Sequence, residues 1–351
     1  MDVDAQRIVV RAPNWVGDVV MATPTFRALR ETFPQAHLAV VLRPYVEPIV
    51  RGAPWFDEVI ATDDRRLGDF LELTRRLRAG SFDLAVILPN SVRSALEAWL
   101  GRARRRLGYD RRYRGILLTD PVAPPHDSRG RFVPRNMVDY YLTLCQLLGC
   151  QHLSRREELF ITPECGERGE ALLAKHQVGT DQTLFAVNPG GAFGGSKLWL
   201  PDRFATVADT LAERHDARIV LFGSPKERPI LETVAEAMTH EPILFEPGEL
   251  DLDVLKPLMR RCSLLVTNDT GARHYGVAFD VPVVCIMGST SPLYTDVNLE
   301  RQTVVRVDVD CGPCQKKVCT TDHRCMTLIT PEMVLDAAEG LLAGRRGMLP
   351  R

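Results

Sequence analysis

Two rhythms of apolar residues alternate along this chain. Short runs rich in Val, Ile and Leu, at residues 7–12, 37–42, 58–62 and 83–88, have the length and composition of buried strands. Between them, apolar positions return every three or four residues. Val19, Ala22, Phe26, Leu29 and Phe33 form one such stripe, stopped by Pro34, with Pro24 inside its first turns, where a missing N–H does least harm. Leu67, Phe70, Leu71, Leu73 and Leu77 form another. Residues 120–135 are rich in Pro, Gly and charge and read as a long loop, followed by a helix over 136–148. The second half resumes the rhythm, with strand patterns at 184–188, 218–222, 243–245, 263–267, 282–287 and 303–307. Helical patterns there cover 202–214 and, last, 331–342.

Strands and helices alternating at these lengths predict parallel sheets covered by helices. At 351 residues the chain is long for a single core. The expected fold is α/β, with two doubly wound, Rossmann-like domains over 1–175 and 176–330 and a terminal helical segment over 331–351. Ligands of such folds sit beyond the carboxyl ends of the strands, here expected in a central cleft that both domains face.

Charge and cysteine content narrow the class. Lys and Arg number 44 against 45 Asp and Glu, which argues against a general polyanion binder. No apolar run reaches the roughly 18 residues that a membrane-spanning helix needs. The first residues lack the basic, apolar and cleavage-site pattern of a secretory signal. Nine cysteines is an odd number, and Cys145, Cys262 and Cys285 lie in apolar surroundings. A reducing, cytoplasmic setting with buried thiols is expected.

The candidate chemistry lies where strands end. Asn268-Asp269-Thr270-Gly271-Ala272-Arg273-His274 follows an apolar run and opens a helical pattern. Backbone N–H groups at a helix start lack intrahelical partners and the helix dipole favours negative charge there, so this turn is a candidate anion site. Residues 188–199 follow another strand and carry Gly190, Gly191, Gly194, Gly195 and Lys197. They read either as a backbone nest for an anion or as a flexible loop before a helix; no Walker or dinucleotide fingerprint is present. After the next strand, Gly223 and Glu227 suit a contact to ribose hydroxyls, or Glu227 is a solvated first-turn glutamate. Asp18, at the first strand–helix junction, is either a general base or a helix cap.

Two clusters remain. Arg102, Arg104, Arg105, Arg106, Arg111, Arg112 and Arg114 crowd thirteen positions around Tyr109 and Tyr113, which fits a phosphate or acidic glycan, an anionic membrane surface, or a solvated face; nucleic acid is another reading, but no recognition fold accompanies it. Cys311, Cys314, Cys319 and Cys325, with His323, have the ligand types of a zinc or iron–sulfur knuckle without the usual paired spacing. They read equally as reduced thiols in a packed loop, and no metal is assigned.

Taken in order, Trp15-Val16-Gly17-Asp18-Val19, Leu88-Pro89-Asn90-Ser91, Pro189-Gly190 with Phe193-Gly194 and Lys197-x-Trp199, Leu221-Phe222-Gly223-Ser224, and Asn268-Asp269-Thr270-Gly271 with His274 resemble a known set. They are similar to the motifs of the ADP-heptose:lipopolysaccharide heptosyltransferases (glycosyltransferase family 9), most closely the heptosyltransferase II branch. The resemblance runs along nearly the whole chain. It implies a GT-B fold whose terminal helix returns toward the N-terminal, acceptor-binding domain. It also implies inverting transfer, without metal or other cofactor, of L-glycero-D-manno-heptose from ADP-heptose to the heptosylated, phosphate-bearing inner core of lipid A. Peripheral contact with the cytoplasmic face of the inner membrane, and no nucleic acid, go with it.

By motif, Asp18 resembles the catalytic base and Lys197 the residue that steadies the diphosphate. Gly190, Gly194, Gly195, Gly223, Glu227, Asp269, Thr270, Gly271 and His274 match donor-binding positions. Asn90, Ser91 and Arg93 lie where the family meets its acceptor. The sequence departs from the pattern at Ala272-Arg273 and Tyr275, where smaller or apolar residues are usual. Another nucleotide sugar on the same fold, or a noncatalytic nucleotide-sugar-binding protein, are the alternative readings.

Overall fold

The computed structural model describes residues 4–344, and the chain divides into two compact units between Phe160 and Ile161. The first unit runs β1 (Arg7–Arg11), α1 (Val16–Met21), α2 (Thr23–Thr32), β2 (His37–Leu42), α3 (Glu47–Val50) and β3 (Glu58–Ala61). It continues with α4 (Leu67–Gly80), β4 (Leu84–Ile87), α5 (Val92–Leu100), β5 (Arg105–Tyr109), β6 (Asp120–Val122) and α6 (Met137–Leu147). Its strands form one parallel sheet in the order β3-β2-β1-β4-β5-β6, with Val9 opposite both Ala39 and Ala85. Both faces are covered, so the central strands are apolar throughout rather than alternating.

The second unit runs α7 (Pro163–Lys175), β7 (Leu184–Asn188), α8 (Pro201–His215), β8 (Arg218–Leu221), α9 (Arg228–Ala237) and β9 (Ile243–Leu244). After these come α10 (Leu255–Arg261), β10 (Leu264–Asn268), α11 (Gly271–Ala278), β11 (Val283–Ile286), β12 (Gln302–Val305), α12 (Arg324–Thr327) and α13 (Pro331–Leu342). Its parallel sheet is ordered β12-β11-β10-β7-β8-β9, the same winding as the first unit. In each, the strand order reverses beside the first strand, between β1 and β4 and between β7 and β10. Ligands of doubly wound sheets bind at the carboxyl end of that switch point.

Three expectations need correction. The stripe from Val19 to Phe33 is two helices, not one, broken at Ala22. Pro24 cannot donate a backbone hydrogen bond, and the Val20 carbonyl is met by the Thr23 hydroxyl at 2.8 Å instead. The loop expected over 120–135 contains an edge strand, β6, where Pro121 is tolerated. The first unit ends fifteen residues before 175: α7 packs on α10, with Gly169 close against Pro257 and the Cys165 thiol donating to the Asp253 carbonyl. Finally, α13 is grouped with the second unit. It packs on β10, β11, β12 and α8 and buries Val334, Ala338 and Leu341 among their side chains. Residues 345–351 of the expected terminal segment lie outside the described residues.

Candidate functional site

In the first unit the turn after β1 leads directly into α1. Trp15 is the residue before the helix and makes no side-chain cap bond, so Asp18, third along α1, does not fill the capping position. Its carboxylate lies close enough to Tyr45 and Tyr141 to oppose their ionisation; burial, the larger effect, also raises both phenols. The Tyr45 hydroxyl donates to the Asn14 carbonyl and pins the turn from the other side.

Beneath the turn sits a buried charge network absent from the expectations. Arg11, at the end of β1, donates to the Ala12 carbonyl at 2.9 Å and to the Asn14 side chain at 3.4 Å. Its guanidinium is held by Glu97 at 2.8 Å and Asp64 at 3.2 Å, all three groups being buried. One oxygen of each carboxyl, Asp64 Oδ1 and Glu97 Oε1, is buried without a hydrogen-bond partner. We expect a single proton to be shared between the two carboxyls, which would give each of these oxygens a partner. Burial pushes Glu97 up to about 7, whereas Arg11 and Arg43 help hold Asp64 below the ordinary carboxylate range against burial.

The sign of the consequence follows. A folded-state value raised from 4.5 contributes stability that is complete below pH ~4.5 and lost as the pH rises through ~7. A loss of the order of 3 kcal/mol is expected across that window. Glu97→Gln, which can donate to Asp64 and accept from Arg11 at every pH, should remove this slope. Urea midpoints taken on either side of the window test it; wild-type and variant curves that stay parallel would refute the shared proton.

After β4 the chain turns through Pro89-Asn90-Ser91. Ser91 caps α5, accepting from the Ser94 N–H at 3.1 Å, and Asn90 accepts from the Tyr140 hydroxyl at 3.2 Å. Arg93 stacks 5.2 Å over Phe70 and donates to the Asp64 carbonyl at 2.5 Å. Arg114, fully buried and depressed to about 10 by burial, donates to the carbonyls of Pro89 and Ser91 and so fixes this turn. Asn90 and Arg93 keep polar surface at the carboxyl edge; Ser91 is chiefly a cap.

In the second unit the two turns at the switch point are stitched together by a pair of asparagines that sequence reasoning did not assign. Asn268, closing β10, donates to the carbonyls of Pro189 (2.8 Å) and Gly190 (3.0 Å) and accepts from Trp199 N–H. Asn188, closing β7, donates to the Phe222 carbonyl and accepts from the hydroxyls of Thr267 and Thr270. An amide at the end of an otherwise apolar strand was the available signal. Thr270 also caps α11 through the Ala272 N–H. Gly271 begins that helix and His274 is buried one turn along it.

Lys197 ends a short 3-10 turn, Gly195–Lys197, and reaches across to the β10 turn. Its Nζ donates to the Asp269 carbonyl (2.8 Å) and to Oδ2 (2.7 Å), with the Phe193 ring 5.1 Å away. An ammonium has three protons, so one remains for a ligand. Asp269 sits between Lys197 and Arg273, the latter at 3.5 Å, and accepts from Thr290. Burial opposes its charge, but these partners win and hold it at about 2. Arg273, a departure from the family pattern, therefore serves the turn; its guanidinium also donates to Gln302 and Thr295 and is wholly buried. Tyr275, the other departure, donates to the Leu252 carbonyl.

The remaining glycines divide. A Cβ on Gly190 would overlap the Glu227 carboxylate, and one on Gly223 would press against it. Glu227 is not a solvated glutamate: it accepts from Gly191 N–H (2.6 Å), Ser224 N–H (2.7 Å) and the Ser224 hydroxyl (2.8 Å), closing a capping box. Gly194, at φ 154°, packs against the Lys317 carbonyl, whereas Gly195 faces open space. The glycine-rich turn is thus braced by the cysteine segment, where His323 also donates to the Ser196 carbonyl at 3.0 Å. Among the described residues, no three His, Cys, Asp or Glu side chains are grouped to hold a metal ion, the cysteine cluster included.

Known proteins resemble this chain along most of its length. A family model described as glycosyltransferase family 9 (heptosyltransferase) matches residues 70–324. Lipooligosaccharide heptosyltransferase 2 of Haemophilus influenzae is 28% identical over 360 aligned residues, covering 96% of this chain and 99% of that one. Among solved structures, a family 9 glycosyl transferase from Veillonella parvula superposes with a TM-score of 0.84 at 26% identity, covering 98% and 99% of the two chains. ADP-heptose lps heptosyltransferase II of E. coli gives 0.78 at 25%, covering 96% and 98%.

Proposed function

The chain belongs to glycosyltransferase family 9, the heptosyltransferase family, and on that footing we propose the division of labour between its two half-sites. The protein moves L-glycero-D-manno-heptose from ADP-heptose to a hydroxyl on the heptosylated, phosphate-bearing inner core of lipopolysaccharide, inverting the anomeric carbon. The observation that carries the donor half is the Lys197–Asp269 pair beside the amino end of α11, a cation with a proton to spare next to a helix start.

In the transition state the sugar gains oxocarbenium character while negative charge grows on the departing diphosphate. Lys197 and the first N–H groups of α11 stabilise that charge, and because both are already held in place no reorganisation is needed. Glu227 retains acceptor capacity beyond its three bonds and takes a ribose hydroxyl of the adenosine. His274 and Thr270 shape the wall next to the sugar. In the first unit Asp18 accepts the proton of the attacking hydroxyl as the bond forms. Asn90 and Arg93 meet the acceptor, with the arginine suited to its phosphate.

Among the described residues no helix is long and apolar enough to cross a membrane. The acceptor is itself membrane-anchored, so the protein is placed at the cytoplasmic face of the inner membrane, in peripheral contact with it. The test is direct: incubate the protein with ADP-heptose and a delipidated heptosylated core, and weigh the product. A gain of one heptose supports the assignment. Transfer only from a different nucleotide sugar would replace the donor, and binding of ADP-heptose without turnover would make the protein a binder.

A further inference from the structure

The arginine-rich segment splits once folded. Arg105 pairs with Asp120, Arg106 donates to the carbonyls of Ala103 and Leu117, and Arg114 is buried against the Pro89 turn. These serve the fold. Arg102 and Arg104 precede β5, at the amino edge of the sheet. Arg111 and Arg112 follow β5 and emerge at the carboxyl edge, the edge that carries Asp18.

The loop after β5 is built in an unusual way. Arg112 and Tyr113 both have left-handed backbones, at φ 56° and 61°, a conformation that costs a non-glycine residue free energy. The outcome is that Tyr113 is 97% exposed and Ile116, three residues on, is 90% exposed. Most folds turn such side chains inward. The loop is nevertheless braced: Asp110 accepts from Gly115 N–H at 2.9 Å, and Arg114 donates to the Tyr109 carbonyl from below. Arg111 stacks 4.1 Å over Phe132, joining the loop to the segment that carries Arg129 and Arg131. Between them lies a recess of about 480 Å³ that includes Arg111, Arg112 and His126. Among the described residues Arg112 and Arg129 make no ion pair, so their charge is available to a partner.

We propose that this loop docks the first unit on an anionic phospholipid surface. Tyr113 and Ile116 enter the boundary between headgroups and acyl chains, while Arg112, Arg111 and Arg129 lie among the lipid phosphates. Exposed aromatic and aliphatic tips framed by arginine are what an interfacial site requires. A soluble phosphorylated glycan would use the arginines but leave the two apolar tips in water. The inference rests on the lipid-anchored acceptor proposed above, whose presentation at the carboxyl edge it explains.

The experiment is co-sedimentation of the full chain with vesicles of phosphatidylcholine alone, or of equal parts phosphatidylcholine and phosphatidylglycerol. Binding to the anionic vesicles should exceed binding to the neutral ones and weaken as salt is raised. Tyr113→Ser with Ile116→Ser should reduce it about tenfold or more. Arg112→Glu should reduce it several-fold. Both variants should melt as the wild type does and turn over the delipidated acceptor at the wild-type rate. Wild-type protein that ignores anionic vesicles, or a double variant that binds them unimpaired, overturns the proposal. So does a double variant slowed on the delipidated acceptor, which would make the loop a glycan contact. Failure of the wild type to transfer heptose to that soluble acceptor, with vesicle binding intact, counts against the proposed function and leaves the docking surface standing.

Discussion

Replacing Asp18 with Asn should cut the transfer rate by about three orders of magnitude or more while leaving ADP affinity within about twofold of the wild type. The asparagine keeps the size of the side chain but cannot take a proton from the acceptor hydroxyl. Asp18 is third along α1, so the variant also loses a carboxylate from a helix amino end, worth at most ~1 kcal/mol there. The fold should survive, because the turn is held independently by Arg11 and by the Tyr45 hydroxyl. ADP is expected to be unaffected since its contacts are all assigned to the second unit. Single-turnover transfer measured beside ADP calorimetry checks both halves. An asparagine variant within about tenfold of the wild-type rate would remove Asp18 from the base role; lost ADP affinity would mean that the first unit holds the nucleotide.

Much of the scaffold can be read from the chain because parallel strands buried on both faces are apolar throughout. Leu84–Ile87 and Val283–Ile286 are wholly apolar or thiol-bearing, and no other element accommodates such runs so briefly. β5 escapes that logic. Arg105 and Arg106 begin it, and only the fold supplies Asp120 and the Leu117 carbonyl that make arginine acceptable in a strand. In sequence the early helix runs through Ala22, because its apolar stripe continues in phase across a break that Pro24 imposes on the backbone. The exact boundary at 160 has no local signature for a related reason: nothing local to α7 announces that Gly169 fits under Pro257.

The candidate site divides along the same line. The turns themselves, such as Asn268 to Gly271, have local signatures: an apolar strand, a capping hydroxyl, a glycine. Their partners do not. Lys197 meets Asp269 across 72 residues, and Arg11 meets Asp64 across 53 and Glu97 across 86. Glu227 shows what this costs. Its spacing suggested a nucleoside contact or an idle surface charge, yet its main bonds brace the Gly190 turn. The ribose contact proposed for it would be a second duty for a carboxylate that the fold already uses.

Lys197→Ala carries the other large expected effect, and it acts on two quantities at once. Loss of a positioned donor to a developing oxyanion lowers the turnover rate by about 10²- to 10³-fold. It also leaves the buried Asp269 carboxylate with Arg273 at 3.5 Å and the Thr290 hydroxyl as its remaining named partners, so stability should fall by ~2–4 kcal/mol. The sign with pH follows from the depressed carboxyl: in the wild type its contribution is present above pH ~3.8 and is lost as the pH falls toward ~2, and the variant should show a smaller acid-induced loss. The two effects separate in a second background. Asp269→Asn removes the buried charge, so Lys197→Ala built on it should recover most of the stability and none of the rate. Denaturant midpoints and single-turnover rates for the pair of variants decide the matter. Recovery of both would mean that Lys197 serves only to neutralise Asp269, and the diphosphate would then need another cation.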